Sequence, residues 1–199
     1  EGDKIYWQGF HIAGRPGAIA FNNPEFLDKT DGTDPETLSA IQIEGRRRIL
    51  RQMRFYRKYL KGFENAYVSD IAPMVGVRES RNVKTEYVLT AEDLLTRRKF
   101  TDAFCRSNYP VDVHGKMPEE TISKYTAVDD GKPWYEIPFG TLVVKGFDNL
   151  MVAGRCLGAE FLAQSSLRVH QSARSSGEAA GVGASLALSA GKPPRDVDG

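Results

Sequence analysis

Between Asp34 and Gly62 the chain carries one continuous helical pattern, and no other stretch limits the fold so tightly. Asp34 is a good N-cap, Pro35 takes the first helical position, and Glu36 lies in the first turn. At about 100° per residue, Leu38, Ile41, Ile49, Met53, Tyr56 and Leu60 fall on one face. Arg47, Arg51, Arg54, Lys58 and Lys61 fall on the opposite face, and Gly62 is a natural stop. The pattern predicts a long amphipathic helix with an arginine-rich outer stripe. Such a stripe suits a phosphate or RNA contact, or simply a solvated face. Charged outer faces are the rule, and the stripe lacks interleaved aromatic residues for stacking on bases, which favours the solvated reading.

Shorter elements surround this helix. Ile5–Ile12 and Ala18–Phe21 read as strands of a hairpin, joined by a turn over Gly14–Gly17. Lys84–Leu89 alternates and reads as a strand, and Thr90-Ala-Glu-Asp93 has the spacing of a capping box opening a short helix. Residues 100–117 show no clear period. Polar residues 117–133 form the best candidate boundary. Trp134–Val144 reads as a strand and Leu150–Ala153 as a short buried one. Leu167–Ala190 reads as a long helix, with Ala173, Gly177 and Gly181, and Ala180 and Ala184, making a flat small face. Gly in a helix costs about 1 kcal/mol relative to Ala, so that face implies close packing on a sheet or a planar ligand. The expected fold class is mixed α/β.

Composition excludes several functions. Twenty-seven basic residues against 26 acidic ones, a net charge of +1, give no global field for nucleic acid or acidic membranes. No apolar stretch approaches the roughly 20 residues that span a bilayer. Cys105 and Cys156 lack metal-ligand spacing, and His11, His114 and His170 are scattered, so no metal site is expected.

The carboxyl end holds the strongest constellation. A buried strand runs into Gly154-Arg155, then a loop, then a helix opening at Ser165-Ser166-Leu167. Ligands of α/β sheets sit beyond strand carboxyl ends, and a helix N-terminus offers unpaired N–H groups with a positive partial charge. Most strand–loop–helix units bind nothing, so spacing alone decides little.

Longer motifs decide more. Tyr135-Glu-Ile-Pro138, Val143-Val-Lys-Gly-Phe-Asp-Asn-Leu-Met-Val-Ala-Gly-Arg-Cys156, Ala163-Gln-Ser-Ser-Leu-Arg-Val169 and Gly177-Glu-Ala-Ala-Gly181 stand in one order. Gly76-Val-Arg-Glu-Ser-Arg81, Tyr87-Val-Leu-Thr90 and Tyr109-Pro110 with Asp112-Val-His114 precede them. Together they resemble a family of FAD-dependent oxidoreductases, distantly similar to succinate dehydrogenase and fumarate reductase flavoproteins. The resemblance covers almost the whole chain. It implies a substrate-domain sheet with a long amphipathic helix, plus the last strand and helix of a Rossmann-like FAD-binding domain. Residues 1–133 would be the substrate or cap region and 134–199 the C-terminal part of the FAD-binding domain. Gly154, Arg155, Ser165, Ser166, Leu167 and Arg168 would line FAD.

The sequence contains no G-x-G-x-x-G turn following a strand, which holds the ADP half of FAD in such families. The expectation is therefore a C-terminal portion of a longer enzyme, completed by an N-terminal half and inactive alone. The reaction implied is hydride transfer between a small organic substrate and FAD. Arg78 and Arg81 are candidates for binding a substrate carboxylate or stabilising flavin charge, or for an internal ion-pair cluster with Glu79. His114 is a candidate general acid or base. The competing reading is a non-catalytic interaction domain using the basic helix 35–61. Expected partners are a small-molecule substrate and the N-terminal half, with no nucleic acid and no membrane. An exposed apolar surface would allow a homo-oligomer, and the default compartment is the cytoplasm.

Overall fold

A computed structural model describes residues 9–22, 30–113 and 133–197. The fold is mixed α/β, with helices and, among the described residues, two small antiparallel sheets. The chain divides into two compact units, Glu1–Ser80 and Arg81–Gly199. The boundary expected between 133 and 134 falls inside the second.

In the first unit, β1 (Gly9–His11) pairs antiparallel with β2 (Ile19–Phe21), with Phe10 opposite Ala20. Gly14 and Gly17 both have positive φ in the connecting turn. Helix α1 (Pro35–Tyr59) forms as its caps dictate. The Asp34 carboxylate accepts from the amides of Glu36 at 3.2 Å and Thr37 at 3.0 Å. At the other end, the Leu60 amide closes the last turn onto the Tyr56 carbonyl. Gly62, at φ +91°, turns the chain away. Tyr56 anchors the hairpin. It is buried, stacks on Phe21 at 5.4 Å and meets Phe63 edge-on at 5.9 Å.

The second unit is built around β4 (Tyr135–Pro138), buried along its whole length. It pairs antiparallel with β3 (Ala103–Ser107), which residues 100–117 did not reveal by any period, with an irregularity between Ala103 and Cys105. Pro138 ends β4, and the predicted continuation to Val144 instead makes a 3-10 turn over Phe139–Thr141. Lys84–Leu89 and Leu150–Ala153 are not ladder strands. Each contributes only isolated bridges: Thr85 with Val144, Leu89 with Ala159, and Met151 with Val143. The expectation of a buried strand at Leu150–Ala153 is therefore corrected. That segment has a partner on one side only among the described residues, and Leu150 is exposed.

Two features pin this sparsely laddered core. Gly158 lies so close to the 85–87 segment that a Cβ there would sit 1.6 Å from Thr85 Oγ1 and 2.6 Å from the Tyr87 carbonyl. Helix α2 (Ala91–Leu95) opens with the expected capping box: Thr90 Oγ1 accepts from the Asp93 amide, and Asp93 accepts from the Thr90 amide. Buried Asp93 also accepts from the Tyr87 hydroxyl at 2.8 Å and from Arg98 at 3.0 Å. Burial pushes its carboxyl pKa up. The donors from Thr90, Tyr87 and Arg98 more than offset that, so the group lies below the usual carboxylate range. Burial and the same carboxylate raise the Tyr87 phenol to about 12.

Helix α3 (Phe161–Leu167) and helix α4 (His170–Ala190) replace the single helix expected over Leu167–Ala190. Val169, at φ −76° and ψ 156°, breaks them apart. Gly191, at φ +62°, ends α4 in the left-handed region. The buried face of α4 carries Ser172, Ser176, Gly183 and Ala187. The glycines of the predicted small face, Gly177 and Gly181, are exposed, with nothing within 4 Å of where a Cβ would stand. Close packing occurs instead at Gly183, where a Cβ would lie 2.4 Å from the Phe139 ring.

Asp93→Asn should cost about 2 kcal/mol at neutral pH, because it removes a charged acceptor from four donor groups, the Thr90 amide and hydroxyl, the Tyr87 hydroxyl and Arg98. The depressed native carboxyl stabilises the fold above the unfolded pKa, and that stability is lost as pH falls through the folded value. Urea unfolding followed by circular dichroism should therefore show the mutant's deficit shrinking from pH 7 to pH 3.

Candidate functional site

The chain leaves Ala153 extended and enters a 3-10 turn over Gly154–Cys156. Gly154 has φ +77°, a conformation that L side chains rarely adopt, and space is open on the side where a Cβ would project. Its amide donates to Ser176 Oγ at 2.8 Å, and Ser176 donates onward to the Ala173 carbonyl at 2.7 Å. The turn is thus tied to the second turn of α4. Arg155 is exposed beside it, and its carbonyl accepts from Gln164 Nε2 at 3.3 Å. Cys156 is half-buried, with Sγ 3.3 Å from the Ala153 carbonyl.

Ser165, Ser166 and Leu167 were expected to open a helix. They close one instead, in the last turn of α3, where all three are buried. Their side chains, and that of Arg168, have structural occupations. Ser165 Oγ accepts from the Asp112 amide at 3.2 Å and donates to the Leu162 carbonyl at 2.7 Å. Arg168 Nη2 donates to the Asp112 carbonyl at 2.6 Å. Ser166 Oγ donates to the Tyr109 carbonyl at 2.6 Å and lies 2.6 Å from the Tyr135 hydroxyl. Ser107, the cross-strand neighbour of Tyr135, accepts from the Tyr109 amide at 3.2 Å through Oγ. Tyr135 and Ser166 thus form a buried hydroxyl pair that holds the Tyr109 carbonyl. Burial raises the Tyr135 phenol above its ordinary value, although both serines favour the ionised form.

The helix start that faces outward lies three residues beyond the predicted one. No side chain caps α4, in contrast with α1 and α2. The first internal bond involving its N-cap runs from the Ala173 amide to the Val169 carbonyl at 3.0 Å. An uncapped N-terminus of a 21-residue helix carries unpaired N–H groups and a positive partial charge. Exposed Arg155 and Arg174 add cationic character to this part of the unit. The local chemistry therefore suits an anionic or electron-rich ligand edge.

Arg78 is exposed in the first unit, and Arg81 is exposed in the second. His114 lies outside the described residues. His170, given no role by the sequence, is the exposed first residue of α4. Among the described residues no group of His, Cys, Asp and Glu could hold a metal ion. Nor is any described helix long and apolar enough to cross a membrane.

A left-handed glycine turn is thus bound to the second turn of a helix whose start has no side-chain cap. Its wider setting is given by a family profile described as FAD dependent oxidoreductase, which matches residues 3–199. The chain belongs to that family, whose cofactor is FAD and whose substrates are small molecules. Comparison with curated proteins and with solved structures gives no match.

This hydroxyl pair escaped sequence reasoning, because Tyr109, Tyr135 and Ser166 are far apart in the chain with no repeating interval. Tyr135→Phe and Ser166→Ala should each cost about 1–2 kcal/mol in urea unfolding. The double variant should cost clearly less than their sum, since either change breaks the same bond between them.

Proposed function

We propose that this chain supplies the flavin-facing part of a hydride-transferring oxidoreductase, with the bare N-terminus of α4 set against the pyrimidine edge of FAD. When bound, FAD would supply the acceptor for a hydride from the organic substrate, a chemistry that calls for donors beside the electron-rich edge of the reduced ring. Backbone N–H groups at His170–Ser172 would be those donors, with the helix partial charge adding to them. The observation that carries this reading is that, of the two described helices longer than seven residues, α1 is closed by Asp34 and Pro35 whereas α4 has neither a side-chain cap nor a proline at its start.

The Gly154 turn suits the ribityl and pyrophosphate region, because its open Cβ side would let backbone approach a ligand closely. Exposed Arg155 would pair with phosphate. Ser165, Ser166, Leu167 and Arg168 would act from behind, fixing the α3–α4 junction through the Tyr109–Asp112 segment rather than touching FAD with their side chains. Residues 134–199 would then be the C-terminal part of the FAD-binding domain, and residues 1–133 the substrate or cap region. The ADP half of FAD would be held by a G-x-G-x-x-G turn outside these 199 residues, which contain none.

His170→Pro tests the placement directly. Proline is tolerated at the first helical position, and Val169 already has the extended conformation that a following proline requires. The change removes one N–H while keeping the helix. In the full-length flavoprotein the flavin midpoint potential should fall by about 30–60 mV, equivalent to one charge-assisted hydrogen bond. An unchanged potential would reject the placement. Arg155→Ala should weaken FAD binding by about tenfold in a flavin fluorescence titration.

A further inference from the structure

The charge of this chain is segregated. Residues 35–61 carry eight Arg and Lys against Glu36 and Glu44, although the whole chain is nearly neutral. Glu44 is already engaged, bonding Arg48 at 3.1 Å and Arg51 at 3.0 Å. Arg47 and Arg54, one i, i+7 step apart, are both exposed. With Arg51 and Lys58 they make a basic band along the outer side of α1.

This band is not a purely polar face. Four large apolar side chains stand exposed on the same helix: Ile43 at 54%, Leu50 at 52%, Phe55 at 39% and Tyr59 at 61%. Helical spacing sets Ile43 and Leu50 along one border of the band and Phe55 and Tyr59 along the other. The aromatic pair is ordered, with ring centroids 4.7 Å apart and Lys58 Nζ 5.1 Å from the Tyr59 ring. A solvated face gains nothing from exposing four such groups.

The order of the stripes selects the partner. A helix lying on a lipid surface needs a continuous apolar sector with cations at its edges. Here the cations are central and the apolar groups are split to either side. A phosphate backbone would use the cations but leave Ile43 and Leu50 without a role. An acidic ridge flanked by apolar side chains matches all three stripes. We propose that the outer face of α1 docks an acidic amphipathic segment of another protein, with Arg47, Arg54 and Lys58 pairing its carboxylates and Ile43, Leu50, Phe55 and Tyr59 gripping its apolar flanks. This inference is independent of where FAD sits.

The test uses the full-length protein and a fluorescein-labelled helical peptide of about 20 residues, with a Glu stripe bordered by Leu. Its control has the same composition in scrambled order. Fluorescence anisotropy should show the ordered peptide binding about tenfold more tightly than the scrambled one, and binding should weaken as salt rises. Arg47→Glu with Arg54→Glu should raise Kd by about tenfold or more. Ile43→Ser with Leu50→Ser should raise it several-fold and leave the salt dependence unchanged. All substitutions are at exposed positions, and circular dichroism checks the fold. Equal affinity for the two peptides, no binding, or tighter binding to a single-stranded RNA 20-mer or phosphatidylserine vesicles would each overturn the proposal.

Discussion

The second unit must bury a wide core with very little sheet to satisfy its backbone. Among its described residues, one two-stranded ladder and three isolated bridges are present. Buried backbone and side-chain polar groups without partners cost about 1–3 kcal/mol each. Side chains therefore take over work that a larger sheet would do. Tyr135 and Ser166 hold the Tyr109 main chain, Ser165 and Arg168 hold Asp112, and Ser176 holds the Gly154 amide. The geometry of the Gly154 turn and of the α3–α4 junction depends on these bonds.

The two long helices differ in how their first turns end. Asp34 and Pro35 close α1, so its N-terminus is spent on its own stability. In α4 one face is partly buried and no side chain caps the start. Short α3 has no side-chain cap either, but its last five residues are buried, and it sets the position at which α4 begins.

Local signals were legible in the sequence and non-local ones were not. The caps of α1 and the Thr90–Asp93 box were plain, because each is written within four residues. The hairpin and β4 were also visible, from aromatic and β-branched runs between turn residues. The family was legible from ordered motifs spanning nearly the whole chain. Strand β3 was hidden, since Ala103–Ser107 has mixed exposure and pairs with β4 across about thirty intervening residues. The break at Val169 was hidden too, because Ser165–Leu167 continue the helical pattern without a glycine or proline to mark the end. The face of α4 that packs closely was misplaced for a related reason. Small residues line most of that helix, and only the position of the Phe139 ring distinguishes Gly183 from Gly177 and Gly181.

The Tyr135–Ser166 pair has one more property. A carbonyl can only take a hydrogen bond, so the Tyr109 carbonyl claims the Ser166 proton, and the tyrosine hydroxyl must then give its own to Ser166. One main-chain acceptor thereby fixes the orientation of two buried hydroxyls, and reversing either proton would leave that carbonyl unpaired. At position 166 threonine keeps both bonds, whereas alanine strands the carbonyl and the phenol together.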